Sequence, residues 1–170
     1  MKILTYPDPV LKTVAKQVDD IDEEVRTLVD RMINTMYAAP GIGLAANQVG
    51  ELRRVIVFDA SPGETGRDPR VLINPEILLS EGSVKYEEAC LSVPDFSSEV
   101  DRKAHVKVTG VDLAGKPVNL EAHDLLAICL QHEIDHLNGM LFIDHISSLK
   151  RSLFKKKLKK KLKKSQDQEI

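Results

Sequence analysis

The sequence predicts an α+β fold in which mixed or antiparallel strands pack around one central helix. Strand-like segments cluster in the middle of the chain, whereas helical periodicity occurs towards the two ends. This segregation favours α+β over alternating βαβ units. The chain has no internal repeat and no linker that would divide its body. At 170 residues it is long enough for one domain with its own core.

The first predicted helix is "DIDEEVRTLVDRMINTMYAA". Asp20 or Asp22 can cap its N-terminus, apolar residues then repeat at helical spacing, and Pro40 and Gly41 end it. The next element, "RVIVFDA" at 54–60, is apolar and rich in β-branched residues, which is typical of a buried strand.

Two strands, a hairpin and two helices follow in the C-terminal two thirds of the chain. Strands are predicted around 71–79 and 83–92, with a turn at Glu81-Gly82. The alternating segment "AHVKVTGVDLAGKPVNLEA" predicts a hairpin that turns at Gly115. A helix is predicted from about Glu121 to Asn138, capped by Gly139. A last helix is predicted from about 147 to 164.

Charge divides the chain into a body, residues 1–149, and a tail, residues 150–170. The body carries 14 basic and 24 acidic residues, a net charge of −10, whereas the tail carries 10 basic and 2 acidic residues, a net charge of +8. Ile146, Leu149 and Leu153 share one helical face, which we expect to dock on the body. A second face carries Phe154, Leu158 and Leu162 among lysines, typical of a helix that binds RNA, a membrane surface or a protein groove. A solvated, fraying end is the alternative.

The composition favours a cytoplasmic protein. Its two cysteines do not make a disulfide framework, its first residues lack the apolar core of a secretion signal, and no apolar run approaches the length of a membrane span. We expect a monomer without a membrane span.

The segment "QHEIDHLNG" indicates a metal site on the predicted 121–138 helix. His132 and His136 are four residues apart, so they project from one helical face, with Glu133 beside them. Two imidazoles bind a divalent ion, and a carboxylate in this position can reach a metal-bound water without being a ligand. A pair of core histidines is the alternative interpretation.

We expect the third ligand before the histidine helix in the sequence and not after it. Phe142 stands where one family of zinc hydrolases has a third histidine, and Glu169 is the only glutamate after Glu133. Asp144 and His145 stay open, but they follow the helix too closely to face its middle easily. Cys90 ends a strand-like run, and a thiolate is a strong ligand for a borderline ion.

Cys90, His132 and His136 therefore form a candidate three-ligand set with an open position for water, as in catalytic sites. Cys129 shares the histidine face and stays a less favoured alternative. We interpret the remaining histidines, His105, His123 and His145, as structural or surface residues.

Three blocks together, "GIGLAANQVG" (41–50), "EACLSVP" (88–94) and "QHEIDHLNG" (131–139), resemble the signature motifs of peptide deformylases. The resemblance covers residues 1 to about 150. It implies removal of the formyl group from the initiator methionine of nascent proteins, with Cys90, His132 and His136 as metal ligands and Glu133 as general base. It also implies oxyanion donors, Gln48 and the backbone N–H of Leu91.

The resemblance also implies a metal and a partner. It suggests Fe(II), although Zn(II), Ni(II) and Co(II) bind nitrogen and sulfur ligands more tightly. It points to the ribosome as the partner of the basic tail. Ala89 departs from the family, which usually has glycine before the cysteine. The added methyl group is tolerable unless the backbone needs a positive φ.

A pocket for the methionine side chain needs an apolar lining beside the metal. Leu125, Ile128 and Cys129 share the histidine face of the helix, and the glycine at 43 would let the backbone approach a peptide. Ile42, Leu44 and Tyr86 are candidates from the other blocks.

Other functions are less consistent with the sequence. "GIGLAANQVG" imitates a dinucleotide-binding fingerprint, but a helix precedes it and no crossover helix fits after it. A small zinc protease would need a third ligand other than Cys90. A nucleic-acid or membrane module would make the tail the function and the histidine pair incidental.

Overall fold

The computed structural model describes residues 1–60 and 66–168, with side chains described through Lys163. The side chain of Lys164 and residues 169–170 of the predicted tail lie outside this part. Three helices are present among the described residues: α1 (Glu23–Ala38), α2 (Asp124–Leu137) and α3 (Ser148–Gln168). Short 3-10 turns occur at Pro9–Lys12, Ala46–Val49 and Phe142–Asp144.

Within residues 1–60 and 66–168, seven strands form two antiparallel sheets. They are β1 (Gly43–Ala45), β2 (Val55–Phe58), β3 (Arg70–Glu81), β4 (Val84–Cys90), β5 (Val93–Arg102), β6 (His105–Val111) and β7 (Pro117–His123). The larger sheet has the order β1-β2-β3-β6-β7, and β4 pairs only with β5. The α+β class is confirmed, and so are the buried strand at 55–58 and the hairpin that turns at Gly115.

The apolar run in β2 is buried on both faces because helices cover both sides of the sheet. Ile56 and Phe58 face the core beneath α2, whereas Val55 and Val57 face the core beneath α1. Successive side chains of a strand point to opposite faces, so a continuous apolar run is needed where both faces are covered.

Local signals in the sequence explain where the helices begin and end. Asp22 caps α1 by accepting a hydrogen bond from the Val25 backbone N–H at 2.9 Å. Gly139 follows α2 with φ 71°, a conformation that glycine adopts without steric cost. Helix α2 begins at Asp124, three residues later than predicted, because β7 continues through His123.

The strands predicted around 71–79 and 83–92 are β3 and β4, and Gly82 turns the chain between them with φ 67°. They belong to different sheets, because β3 pairs with β6 and β4 pairs with β5. The predicted docking face of the tail was partly wrong: Ile146 is buried, but Leu149 and Leu153 are exposed, whereas Phe154 is buried. Phe154 packs between Phe96 and Tyr6, at ring-centroid distances of 4.6 and 5.8 Å, so this aromatic contact sets the face that docks.

Candidate metal centre

The three residues predicted to bind a metal meet at one point. The Nε2 atoms of His132 and His136 lie 3.2 Å apart, and His136 Nε2 lies 3.3 Å from Cys90 Sγ. One donor atom from each residue lies within 4.8 Å of the other two. A thiolate and two imidazoles suit a borderline divalent ion, so the chemistry of this donor set fits a metal.

Two elements position these ligands. His132 and His136 project from one face of the buried helix α2. Cys90 ends β4, next to a shift in the pairing of β4 with β5. Ala89 is exposed and does not have a positive φ, so the methyl group that replaces the family's usual glycine strains nothing in this turn.

The alternative third ligands are engaged elsewhere. Asp144 forms an ion pair with Lys12, and His145 Nε2 lies 2.7 Å from Asp135 Oδ2. Cys129 is buried, and burial raises its thiol pKa well above the ordinary value. A thiol that resists deprotonation is a poor metal ligand.

Glu88 fixes the orientation of His132. Its Oε2 atom lies 2.8 Å from His132 Nδ1 and accepts a hydrogen bond from Arg102 Nη2 at 3.1 Å, while its Oε1 atom accepts one from Arg102 Nε at 2.5 Å. Burial alone would raise the pKa of Glu88, but the hydrogen bonds from His132 and Arg102 lower it to about 2. A carboxylate on Nδ1 leaves Nε2 free to bind the metal.

The sequence-based reasoning missed Glu88 and its partner Arg102. Arg102 is 5% exposed, and its Nη1 atom donates to Asp135 Oδ2 at 2.6 Å. The available signal was positional: Glu88 lies two residues before Cys90, and a buried acid at the end of a strand needs a cation.

Glu133 lies beside the ligands without a fixed partner for one oxygen. The side chain is 4% exposed, and its buried Oε2 atom has no hydrogen-bond partner within the described part of the chain. Burial raises its pKa to about 7. A carboxyl group with a pKa near neutrality can both accept and return a proton.

Gly43 is required by the position of Glu133. A Cβ atom at residue 43 would lie 2.9 Å from both Cγ and Cδ of Glu133, and nearer still to Oε1. Any other residue would therefore displace the Glu133 carboxylate or the strand.

Gln48 directs a donor towards the cleft. Its Oε1 atom accepts a hydrogen bond from the Ala45 N–H at 2.9 Å, which fixes the amide orientation. Its Nε2 atom donates to Ser92 Oγ at 3.1 Å and lies 3.6 Å from Cys90 Sγ. Leu91 follows Cys90 and lines the same cleft, so the structure brings both predicted oxyanion donors to the ligand cluster.

A cleft of about 670 Å³ opens beside the ligands. Cys90, His132 and Glu133 line it, together with six residues predicted to bind substrate: Ile42, Gly43, Tyr86, Leu125, Ile128 and Cys129. Leu44 does not line it, which corrects the prediction. Leu44 points to the opposite face of β1 and is fully buried beneath α1, because side chains alternate along a strand.

Comparisons with known proteins show which family the chain resembles. The family described as "Polypeptide deformylase" matches residues 1–152. A peptide deformylase of Stutzerimonas stutzeri is 54% identical over 159 residues, which cover 93% of this chain and 94% of that protein.

Two solved structures are also similar. A peptide deformylase from Legionella pneumophila superposes with a TM-score of 0.89 at 45% identity, covering 98% of this chain and 96% of that one. A peptide deformylase from Synechococcus elongatus, solved in complex with actinonin, superposes with a TM-score of 0.87 at 42% identity, covering 95% and 87% of the two chains.

Proposed function

The chain belongs to the polypeptide deformylase family and is a hydrolase of protein biosynthesis; from that premise we propose how its residues remove the N-formyl group from the initiator methionine of nascent polypeptides. One observation carries the proposal. Cys90, His132 and His136 converge beside the buried Glu133 carboxylate, at the base of a cleft lined by apolar side chains.

Cys90, His132 and His136 would hold one divalent ion. When bound, such an ion supplies Lewis acidity towards the formyl oxygen and activates water near neutral pH. We assign Fe(II) as the ion used in the cell, on the family resemblance. Zn(II), Ni(II) and Co(II) bind nitrogen and sulfur donors more tightly than Fe(II), so purified protein can contain any of them.

Glu133 is the general base. Its Oε2 atom accepts the proton of the attacking water and later returns a proton to the leaving amine. Gly43 allows the carboxylate to approach the cleft, and burial keeps its proton affinity near the working pH. Gln48 Nε2 and the Leu91 N–H donate hydrogen bonds to the oxyanion of the tetrahedral intermediate.

The apolar part of the cleft receives the methionine side chain. Leu125 and Ile128 project from the helix that carries the histidines, and Ile42 and Tyr86 line the cleft from other elements. The substrates emerge during translation, so we place the enzyme in the cytoplasm. No helix in the described ranges is long and apolar enough to cross a membrane.

Turnover of formyl-Met-Ala-Ser under anaerobic conditions tests the function, with metal content measured on the same sample. We expect one equivalent of metal in the centre, release of formate, and no cleavage of internal peptide bonds. The matched control is acetyl-Met-Ala-Ser, which presents a larger acyl group. Cleavage between residues without formate release would favour the protease alternative.

The basic helix α3 suggests a second role, as an anchor to the ribosome. Phe154 docks on the body and Leu158 is half-buried, so the helix is held along one side. Lysines cover the rest of it and are exposed from Lys155 to Lys163. The body is acidic, so α3 is the positive region that an RNA surface near the emerging peptide would attract.

Charge removal on α3 tests this role without disturbing its packing. In the first variant, four exposed lysines become glutamine: Lys156, Lys159, Lys160 and Lys163. In a charge-matched control, the same change is made at four exposed lysines of the body: Lys2, Lys16, Lys103 and Lys116. We expect only the first variant to lose low-salt co-sedimentation with ribosomes, and both to keep formyl-peptide turnover. Equal sedimentation of the two variants would reject the anchor.

A further inference from the structure

We propose that the outer face of the β6–β7 hairpin carries a second metal site, formed by His105, Glu121 and His123. One donor atom from each residue lies within 4.8 Å of the other two. This cluster does not include any residue of the catalytic cleft. Its position is set by strand register, because His105 pairs directly with His123 and Glu121 lies two pairing positions away, opposite Lys107.

The sheet itself places these side chains on one face. Residues two apart on a strand project to the same side, so Glu121 and His123 share the face of His105. The residues between them, Val106 and Ala122, point the other way, into the core beneath α2. The two imidazole rings stack with centroids 4.3 Å apart and planes within 5° of parallel.

His105 lies between two carboxylates, one on each ring nitrogen. Its Nδ1 atom lies 3.4 Å from Glu81 Oε2, on the neighbouring strand β3. Its Nε2 atom lies 2.9 Å from Glu121 Oε1, yet this contact lacks hydrogen-bond geometry, and Nε2 is otherwise buried without a partner among the described residues. If Nδ1 donates its proton to Glu81, the Nε2 lone pair faces an anion, and a cation between the two atoms would relieve that repulsion.

The contacts of His105 resemble those of His132 in the catalytic centre. His132 also has a carboxylate on Nδ1 and directs Nε2 towards the other ligands. A carboxylate on the outer nitrogen fixes the ring and strengthens the inner nitrogen as a ligand. Two imidazoles and one carboxylate form a donor set for Zn(II) and similar borderline ions, with solvent completing the coordination at this exposed face.

One cation already competes for this site. Lys107 Nζ lies 3.9 Å from Glu121 Oε2, which partly neutralises the carboxylate. Glu121 and His123 are also exposed, so water screens their charges. We therefore expect Zn(II) to bind more weakly than at Cys90, His132 and His136.

The competing explanation is a proton instead of a metal ion. A protonated His105 would donate to both Glu81 and Glu121, and no ion would be needed. The two explanations differ in one respect: only a metal site gains an equivalent of Zn(II) that depends on His123, because His123 takes no part in either ion pair of His105.

Calorimetric titration with Zn(II) tests the proposal on the full chain whose catalytic site is already loaded with Zn(II). At pH 8, we expect wild-type protein to take up one further equivalent. His123→Ala should lose that equivalent. Glu121→Gln should weaken it at least ~10-fold, since losing even an outer-shell partner typically costs about 10- to 100-fold in metal affinity.

Asn119→Ala is the matched control, because Asn119 is exposed on the same face of β7, two residues before Glu121. It should bind Zn(II) as wild type does, and all three variants should keep formyl-peptide turnover. In ¹⁵N spectra, the His105 Nε2 resonance should shift on addition of Zn(II). Absence of a second equivalent in wild type, or its persistence in His123→Ala, would overturn the proposal.

Discussion

The catalytic cleft and the helix α3 differ in how their charged side chains are packed. In the cleft, charged and polar side chains are buried and fixed by short contacts, such as Arg102 with both oxygens of Glu88. On α3, most charges are in solvent, and the helix packs mainly through Phe154. In the cleft, burial of polar groups fixes the positions of the catalytic side chains. On α3, the charges stay exposed, where a partner can reach them.

This difference separates two kinds of mutational effect. A buried group with several partners cannot move to compensate for a lost atom, so substitutions in the cleft should change the rate of catalysis. An exposed charge contributes little to folding, so substitutions on α3 should change association or stability and leave the chemistry intact.

Glu133→Gln is expected to have the largest effect. Glutamine has the same shape but cannot accept the proton of the attacking water, so turnover should fall by about 10²- to 10⁴-fold. Metal content should match wild type. Turnover close to wild type would remove Glu133 from the mechanism.

The pH dependence of turnover in wild type and in Glu133→Gln gives a second test of the general base. Burial raises the Glu133 pKa to about 7, and below its pKa the carboxyl group is protonated and cannot accept a proton. Wild-type turnover should therefore decline as the pH falls. The decline should lie at or below pH 7, because a metal ion bound beside Glu133 favours the charged carboxylate and lowers its pKa. The acid limb should be absent from the residual activity of Glu133→Gln.

Gln48→Leu is expected to have the next largest effect. It removes one oxyanion donor, which typically costs ~2.7–4 kcal/mol in the transition state, or about 10²- to 10³-fold in kcat. Ser92→Ala is the control, because it removes the hydroxyl that accepts from Gln48 Nε2 but leaves that donor in place. Equal losses of kcat in the two variants would indicate that Gln48 acts only by supporting the turn.

Phe154→Ala is expected to have the smallest effect on catalysis. The free energy of unfolding should fall by up to about 3 kcal/mol, the lower end for a buried phenylalanine, because only one side of α3 is packed. The neighbouring Leu153 is 59% exposed, so Leu153→Ala should change stability by no more than ~0.5 kcal/mol. Urea unfolding measures both. A larger loss for Leu153→Ala would contradict the observed docking face.

The sequence predicted elements wherever one physical signal dominated. The strand at 55–58 was predicted because burial on two faces requires a continuous apolar run. The turn at Gly115 was predicted because its positive φ favours glycine. Strand β5 was missed because Ser98 and Arg102 occupy inward positions, so its buried face does not read as apolar.

The site was predictable to the extent that helix geometry determines it. His132, Glu133 and His136 lie on one helix, so their spacing defines their relative positions. The orientation of Leu44, the pairing of Glu88 with Arg102 and the docking face of α3 depend on register and on contacts between distant segments. Spacing along the chain does not encode these three features, and each of them was predicted wrongly or missed for that reason.

The proposed metal centre requires Cys90 as its third ligand, and the two cysteines of the chain offer a direct test. Cys90→Ala and Cys129→Ala should be prepared anaerobically in a His123→Ala background, so that the proposed outer site adds no metal. Metal content and turnover of formyl-Met-Ala-Ser are then measured on the same samples. Cys90→Ala should lose both the metal and the activity, whereas Cys129→Ala should keep both. A Cys90→Ala protein that retains one equivalent of metal and full turnover would contradict the account.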